Sequence, residues 1–358
     1  METHTVDLPD FYCPIPSARH PAVDRAESRT GAWVQDLGLA HSAEHAMRLR
    51  GNNCADLYGR ITPHGDEQAL QIAVDWHSMG FAFDDEFVDT TPHTRSTAHF
   101  SDLAGRLLLT LEHPNRQLMP EGPYHIAVKD LAERYRRTAS SVQYQRWVEA
   151  QRKWLLGSLW MMSADTTNAL TDPNSYLAAR IQDSGGAPAT SMIELVTTQE
   201  IPEGELWSAP TRALTEIAHM IAILDNELVS RYKEEFSGQR QRTLIDVVAR
   251  HHHWTPEAAQ QAVIGLRDQA MTLFLNLSKR EDRRPGASSA LRAYLTDLGH
   301  LIRGNIDWSL ACPRYSHLYP PGHNVPVAHL DFHTRITDQT TTAPLPLRIP
   351  AVAWWTAI

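Results

Sequence analysis

The chain has 358 residues, 42% of them apolar, ten tryptophans and a formal charge of -9. That is enough apolar material for a large core, arranged as one helical domain or two average ones. The acidic balance excludes broad nucleic-acid binding, which wants a basic face. No run approaches the roughly 18 apolar residues of a membrane span. Cys13, Cys54 and Cys312 are odd in number, widely spaced and form no CxxC pair, which points to a reducing compartment. Met1-Glu2-Thr3-His4 shows no basic stretch followed by an apolar one. No signal peptide is expected, and the chain reads as cytoplasmic.

Residues 1–30 carry Pro9, Pro14, Pro16 and Pro21 without a sustained period, and are expected to form an extended surface arm. Residues 31–50 read as helical, with Trp33, Leu37, Met47 and Leu49 turned inward. From Asp66 to Phe83, apolar positions recur at Leu70, Ala73, Val74, Trp76, His77, Gly80 and Phe81, close to helical spacing. Thr97–Leu111 is a further helix ended by Pro114. Tyr124–Met162 is nearly free of breakers and predicts one long helix or two in sequence, with Trp147, Trp154, Leu155 and Leu159 inside. Asp172-Pro173-Asn174 is a turn, Ser175–Ile181 a short helix, and Asp183-Ser184-Gly185-Gly186 a break. Ala209–Glu235 is strongly helical, with Leu214, Ile217, Ala218, Ile221, Leu224 and Leu228 along one side. Helices over Leu244–Ala249, Pro256–Leu277 and Ser288–Leu310 follow, with Lys279–Pro285 read as a charged loop. Beyond Tyr315, six prolines predict an irregular tail. There is no internal repeat, Gly-rich phosphate loop or alternating strand pattern. The fold class expected is all-α: an arm (1–30), one helical domain (31–315) and a Pro-rich tail (316–358).

Two stretches carry chemistry. Asp84-Asp85-Glu86 and Asp89 place four acids in six residues among Phe81, Phe83 and Phe87. Carboxylates at that density in apolar surroundings need cations, all the more at a helix C-terminus, where the macrodipole is negative. Alone, such a run is a weak signal, and its ordinary reading is a solvated acidic helix end. The second stretch sets Asn226, Ser230 and Glu234 at i, i+4 and i+8 of a clean helix. They share one face and offer amide, hydroxyl and carboxylate oxygens in a row. Such hard ligands suit Mg²⁺, which keeps waters and usually binds substrate phosphates too. Lys233 adds a positive charge beside them. The competing reading is a polar face in solvent.

Together the two stretches resemble the metal motifs of bacterial class I terpene synthases. Arg180 stands 46 residues before Asn226, where that family places a diphosphate-sensing arginine. Asp183 and Ser184, before Gly185-Gly186, match the linker and effector positions that follow it. Arg314-Tyr315 matches a pair near the end of the last core helix. The resemblance covers residues 30–316. Glu227 departs from it, because Asp usually follows the Asn, but the position is not a ligand in the family and is set aside; Ser184, where Gly is frequent, is a mild variation.

The resemblance implies one α-helical bundle around a deep apolar cavity. It implies three Mg²⁺ ions, held by Asp84 with Asp89 on one wall and by Asn226, Ser230 and Glu234 on the other. Arg180, Lys233 and Arg314 would neutralise a prenyl diphosphate, and Tyr315 would donate to it. Arg180, Asp183 and Ser184 would trigger ionisation. Phe81, Phe83 and Trp308 are the expected pocket aromatics, since ring faces attract a carbocation by about 0.5–2 kcal/mol each. The expected reaction is cyclisation of farnesyl diphosphate (C15), with geranylgeranyl diphosphate (C20) as the alternative and a homodimer possible. A chain-elongating prenyltransferase would need a second Asp-rich motif where Asn226, Ser230 and Glu234 stand. A non-catalytic isoprenoid-binding protein would retain the fold without Mg²⁺-dependent diphosphate release. His251-His252-His253 is expected to be a surface cluster, Arg283-Arg284 a solvated loop rather than a lid, and Trp354-Trp355 an apolar patch that docks on the bundle or on a second subunit.

Overall fold

A computed structural model of the chain describes residues 3–88, 96–167, 169–237, 242–318, 328–340 and 349–358. It is mainly helical and divides into two compact units. One comprises Ala18–Ala169 and Gln182–Pro202; the other comprises Met1–Ser17, Leu170–Ile181 and Glu203–Ile358.

The first unit is built around the helix Glu67–Phe87. It starts where the Asp66 carboxylate accepts from the backbone N–H groups of Gln68 and Ala69, a cap contributing about 1 kcal/mol. This helix packs against Val23–Asp36, Cys54–Ile61 and Pro123–Thr138. The first of these helices takes in the last eight residues of the expected arm. The breaker-poor stretch resolves into two helices, Pro123–Thr138 and Ser141–Thr167. Ala139 is extended between them, and Ser140 Oγ accepts from the Gln143 N–H to start the second. Aromatic rings fill the core. Tyr135 stacks on Trp147 at 4.6 Å, and Phe83 meets Phe87, Phe100, Tyr124 and Trp154 at 4.9–6.1 Å. His77, wholly buried and bonded to the Ala73 carbonyl, is pushed down to about 4 by burial and stays neutral.

The spine of the second unit is the helix Ala209–Ser237, which packs on Pro256–Asp282 and Ser289–Ala311. Its apolar row from Leu214 to Leu228 is buried, as the spacing predicts. Thr243, Thr255 and Ser288 cap the helices that follow, the first with a reciprocal bond to Asp246.

The described parts of arm and tail form short strands that composition does not predict. Thr3–Asp7 runs parallel to Ala328–His333, with Thr3 opposite His329, and His317–Leu318 joins the second strand antiparallel. Phe11–Tyr12 pairs parallel with Ile336–Thr337. Val6, Leu8 and Phe11 are buried through this pairing. The expected charged loop is helical as far as Asp282, and Arg284 is bound by Glu205 and Glu281. Trp355 is buried and donates Nε1–H to Glu216 of the spine helix, and Arg212 lies over the Trp354 ring. The tail thus docks on its own unit. His251 and His252 are exposed, and His252 stacks on Trp254.

Candidate active site

In the first unit, the acidic run closes the helix Glu67–Phe87, whose C-cap residue Val88 donates its backbone N–H to the Asp84 carbonyl. Asp84 is half-buried, whereas Asp85 and Glu86 are exposed. Helical geometry separates the neighbouring phenylalanines. Phe81 stands three residues before Asp84 on the same face and is half-buried. Phe83 is turned by a helical step into the aromatic core, where it is fully buried. Glu86 accepts from the Tyr124 hydroxyl at 2.8 Å, which helps raise the tyrosine's pKa after burial has done most of it. Asp89 lies outside the described residues.

The same unit holds the break at Asp183-Ser184. Gly185 adopts φ +71°, a conformation that favours glycine, and caps the helix Gly186–Ser191. Ser184 Oγ accepts from the Gly186 N–H at 3.3 Å. Across from the break, Gly157 of the helix Ser141–Thr167 has no room for a side chain. A Cβ there would stand 2.5 Å from the Gln182 carbonyl carbon and 2.6 Å from the Asp183 nitrogen.

In the second unit, Asn226, Ser230 and Glu234 lie along one face of the spine helix. Ser230 and Glu234 are buried, Asn226 and Lys233 half-buried. Asn226 Nδ2 donates to the Tyr315 hydroxyl at 2.7 Å, which turns the amide oxygen to the other side. Burial pushes Tyr315 up to about 12, so it keeps its proton, and its ring meets Trp308 edge-on at 5.5 Å. Trp308 is itself buried. Arg314 is half-buried one residue before Tyr315.

The two acids flanking Asn226 are wholly buried and each meets an arginine. Asp225 takes a bidentate pair from Arg267 at 2.7 and 3.1 Å. Arg267 also donates to the Tyr12 carbonyl, tying the arm to this point. Glu227 stands 3.4 Å from Arg180 Nε, accepts from the Leu244 N–H at 2.7 Å, and lies 2.8 Å from the Tyr176 hydroxyl, whose one proton also has the Arg242 carbonyl in reach at 2.6 Å. Burial raises the Glu227 carboxyl, and Arg180 with the two donors opposes that rise.

The family model described as terpene synthase family 2, C-terminal metal binding, matches residues 75–272. The chain is 32% identical to spiroviolene synthase from Streptomyces violens over 99% of its own length and 98% of that protein's. It is 31% identical to (+)-T-muurolol synthase of Streptomyces clavuligerus, described as (2E,6E)-farnesyl diphosphate cyclizing, over 96% of this chain and 81% of that one. The crystal structure of the SVS_A2 protein from ancestral sequence reconstruction superposes with a TM-score of 0.81, at 33% identity and 98% coverage of both chains.

This chain belongs to the terpene synthase family. It is an enzyme of the class I cyclase type, a lyase that uses a divalent metal and a prenyl diphosphate. Among the described residues, no three His, Cys, Asp or Glu side chains converge as a metal cluster. The row on the spine helix contains only one such residue, so its fit is decided by its donors. Three hard oxygens on one face, two of them on buried residues and the amide oriented by Tyr315, fit an oxygen-seeking dication. Two cavities of the synthase involve other residues. One, with room for a single water, lies among Trp76, Trp147, Gln151 and Trp154. The other is a surface depression of about 450 Å³ between arm and tail. Sequence reasoning set Glu227 aside because it is no ligand, and missed Asp225–Arg267 and Gly157. The one available signal was the departure from Asp at position 227.

Proposed function

We propose that the synthase ionises a linear prenyl diphosphate with Mg²⁺ and cyclises the resulting carbocation, with farnesyl diphosphate as the first substrate to test. One observation carries the reading: within a single unit, Asn226 of the row Asn226, Ser230 and Glu234 is oriented by Tyr315, while Arg180 is paired with Glu227 of the same helix. The farnesyl assignment is supported by the description of the muurolol synthase.

In the second unit, Asn226, Ser230 and Glu234 would hold Mg²⁺ through their oxygens; in the first, Asp84 would, with Asp89. Bound Mg²⁺, three ions in this reading, supplies Lewis-acid stabilisation of charge on the diphosphate leaving group. Arg180, Lys233 and Arg314 bind the diphosphate oxygens, and the protonated Tyr315 hydroxyl donates to one of them. The carbon–oxygen bond then breaks heterolytically, and the electron pair leaves with diphosphate. Asp183 and Ser184, braced at the Gly185 turn, respond to the bound anion. Phe81 and Trp308 offer ring faces to the allyl cation and exclude water from it.

The test is incubation of the purified protein with Mg²⁺ and, separately, C10, C15 and C20 prenyl diphosphates, followed by gas chromatography–mass spectrometry of a hexane extract. The expected result is a cyclic C15 hydrocarbon or alcohol, absent when EDTA is added. A cyclic product from the C20 substrate alone would change the chain length and keep the class. Neither product nor released diphosphate from any substrate would overturn the reading.

A further inference from the structure

We infer that Glu227 is a positioning residue for Arg180, aiming the guanidinium at the substrate's diphosphate; this rests on the function proposed above. Tyr176 and Arg180 are i and i+4 on the helix Pro173–Asp183, so they share a face and lie one turn apart. The Glu227 carboxylate touches both turns of that face, taking the Tyr176 hydroxyl at 2.8 Å and standing 3.4 Å from Arg180 Nε. Its other oxygen accepts from the Leu244 N–H at 2.7 Å, the first residue of the helix Leu244–His252. One carboxylate thus joins three helices, and the Leu244 N–H fixes where its charge stands, with the Tyr176 hydroxyl sharing its one proton between Glu227 and the Arg242 carbonyl at 2.6 Å.

A guanidinium presents its donors in a planar fork. With Nε 3.4 Å from the fixed Glu227 carboxylate, the ion pair favours one placement of the Arg180 guanidinium over others. An anion met by an arginine already oriented loses less on binding than one that must first order it. The extra methylene of Glu, relative to the Asp usual at this position, extends the carboxylate toward the Tyr176–Arg180 face while it still reaches Leu244. An aspartate at the same backbone position retains the charge with a shorter reach.

The decisive measurement is a double-mutant cycle. Glu227→Gln retains an oxygen for the Leu244 N–H and removes the charge beside Arg180. It is expected to lower kcat at least tenfold, with KM for the prenyl diphosphate moving less than threefold. In an Arg180→Lys background, which has no fork to aim, the same change is expected to cost less than a further twofold. Glu227→Asp should recover most of the loss. Calorimetry with inorganic diphosphate and Mg²⁺ follows the same cycle without turnover, and a shift of threefold or more that vanishes in Arg180→Lys supports the inference. Equal losses in both backgrounds, or wild-type kcat in Glu227→Gln, would overturn it and leave a packing role. If Glu227→Gln does not fold, Tyr176→Phe takes its place in the cycle and is judged by the same two outcomes. Wild-type protein that neither turns over a prenyl diphosphate nor binds inorganic diphosphate would bring down the function and this inference together, before any variant is read.

Discussion

The two acidic stretches of this chain are built on opposite physical plans. Around Asn226, every neighbouring charge is answered inside the fold: Asp225 by Arg267, Glu227 by Arg180, Tyr176 and Leu244, and the Asn226 amide by Tyr315. Around Asp84, the acids sit at a helix C-terminus, with Asp85 and Glu86 exposed and the apolar anchor Phe83 one helical step away. One stretch is rigidified by its own unit, and its ligands are oriented in advance. The other ends its helix with two exposed acids, one of them, Glu86, held by the Tyr124 hydroxyl. Motifs that look equivalent in sequence therefore differ in what their loss does to stability and to turnover.

The largest expected effect breaks the buried side of this comparison. Arg267→Ala leaves the Asp225 carboxylate buried without its bidentate partner and releases the Tyr12 carbonyl. Breaking a buried pair in this way costs about 3–5 kcal/mol. Urea unfolding should show that loss, whereas Asp84→Asn should move stability by no more than about 0.5 kcal/mol. Equal losses at the two sites would end the comparison.

Next comes turnover without stability. Asp84→Asn retains size and hydrogen bonding and removes a negative charge at the proposed Mg²⁺ ligand. Turnover of the prenyl diphosphate is expected to fall at least about a hundredfold, near 2.7 kcal/mol of barrier, at unchanged melting temperature. Activity within threefold of wild type would remove Asp84 from the metal site.

A third effect contrasts a buried acid that has an arginine with one raised by burial alone. Asp297, in the helix Ser289–Ala311, is pushed up to about 7 by desolvation. Between the unfolded value near 4 and about pH 7, the folded chain binds the extra proton, so its stability is greatest at the acid end of that window. It declines as pH rises through 7. Asp297→Asn should flatten this slope and gain on the order of 1–3 kcal/mol more at pH 7.5 than at pH 4.5. Parallel stability curves for the two proteins would show that Asp297 is charged throughout.

How far the sequence could be read follows from the range of the forces involved. Helical spacing is local, so the spine row from Leu214 to Leu228 and the face carrying Asn226, Ser230 and Glu234 were legible. The strands were not. They run from two to six residues, too short to show a period of two, and Thr3–Asp7 finds its partner more than 300 residues away. Gly157 gave no signal, because its reason is a close approach to a backbone 25 residues downstream. Phe81 and Phe83 looked alike beside the acids until the helix sent one to the Asp84 face and the other to the core. Glu227 was set aside because it binds no metal, yet its partners come from two distant places in the chain that only folding brings together.

The smallest effect probes how the rigid stretch is aimed. Tyr315→Phe leaves the ring against Trp308 and removes the hydroxyl that the Asn226 amide donates to. A lost hydrogen bond of this kind costs about 1 kcal/mol. The more telling readout is the Mg²⁺ concentration for half-maximal rate. An amide no longer turned by Tyr315 samples orientations that present nitrogen instead of oxygen, and nitrogen cannot serve a hard cation. That concentration should rise a few-fold in Tyr315→Phe, and KM for the prenyl diphosphate should also rise because the hydroxyl is a proposed diphosphate donor. If only KM moves, Tyr315 serves the substrate alone and Asn226 is oriented by its helix. If the Mg²⁺ requirement moves as well, the pre-orientation that distinguishes this stretch from the Asp84 end includes the amide itself.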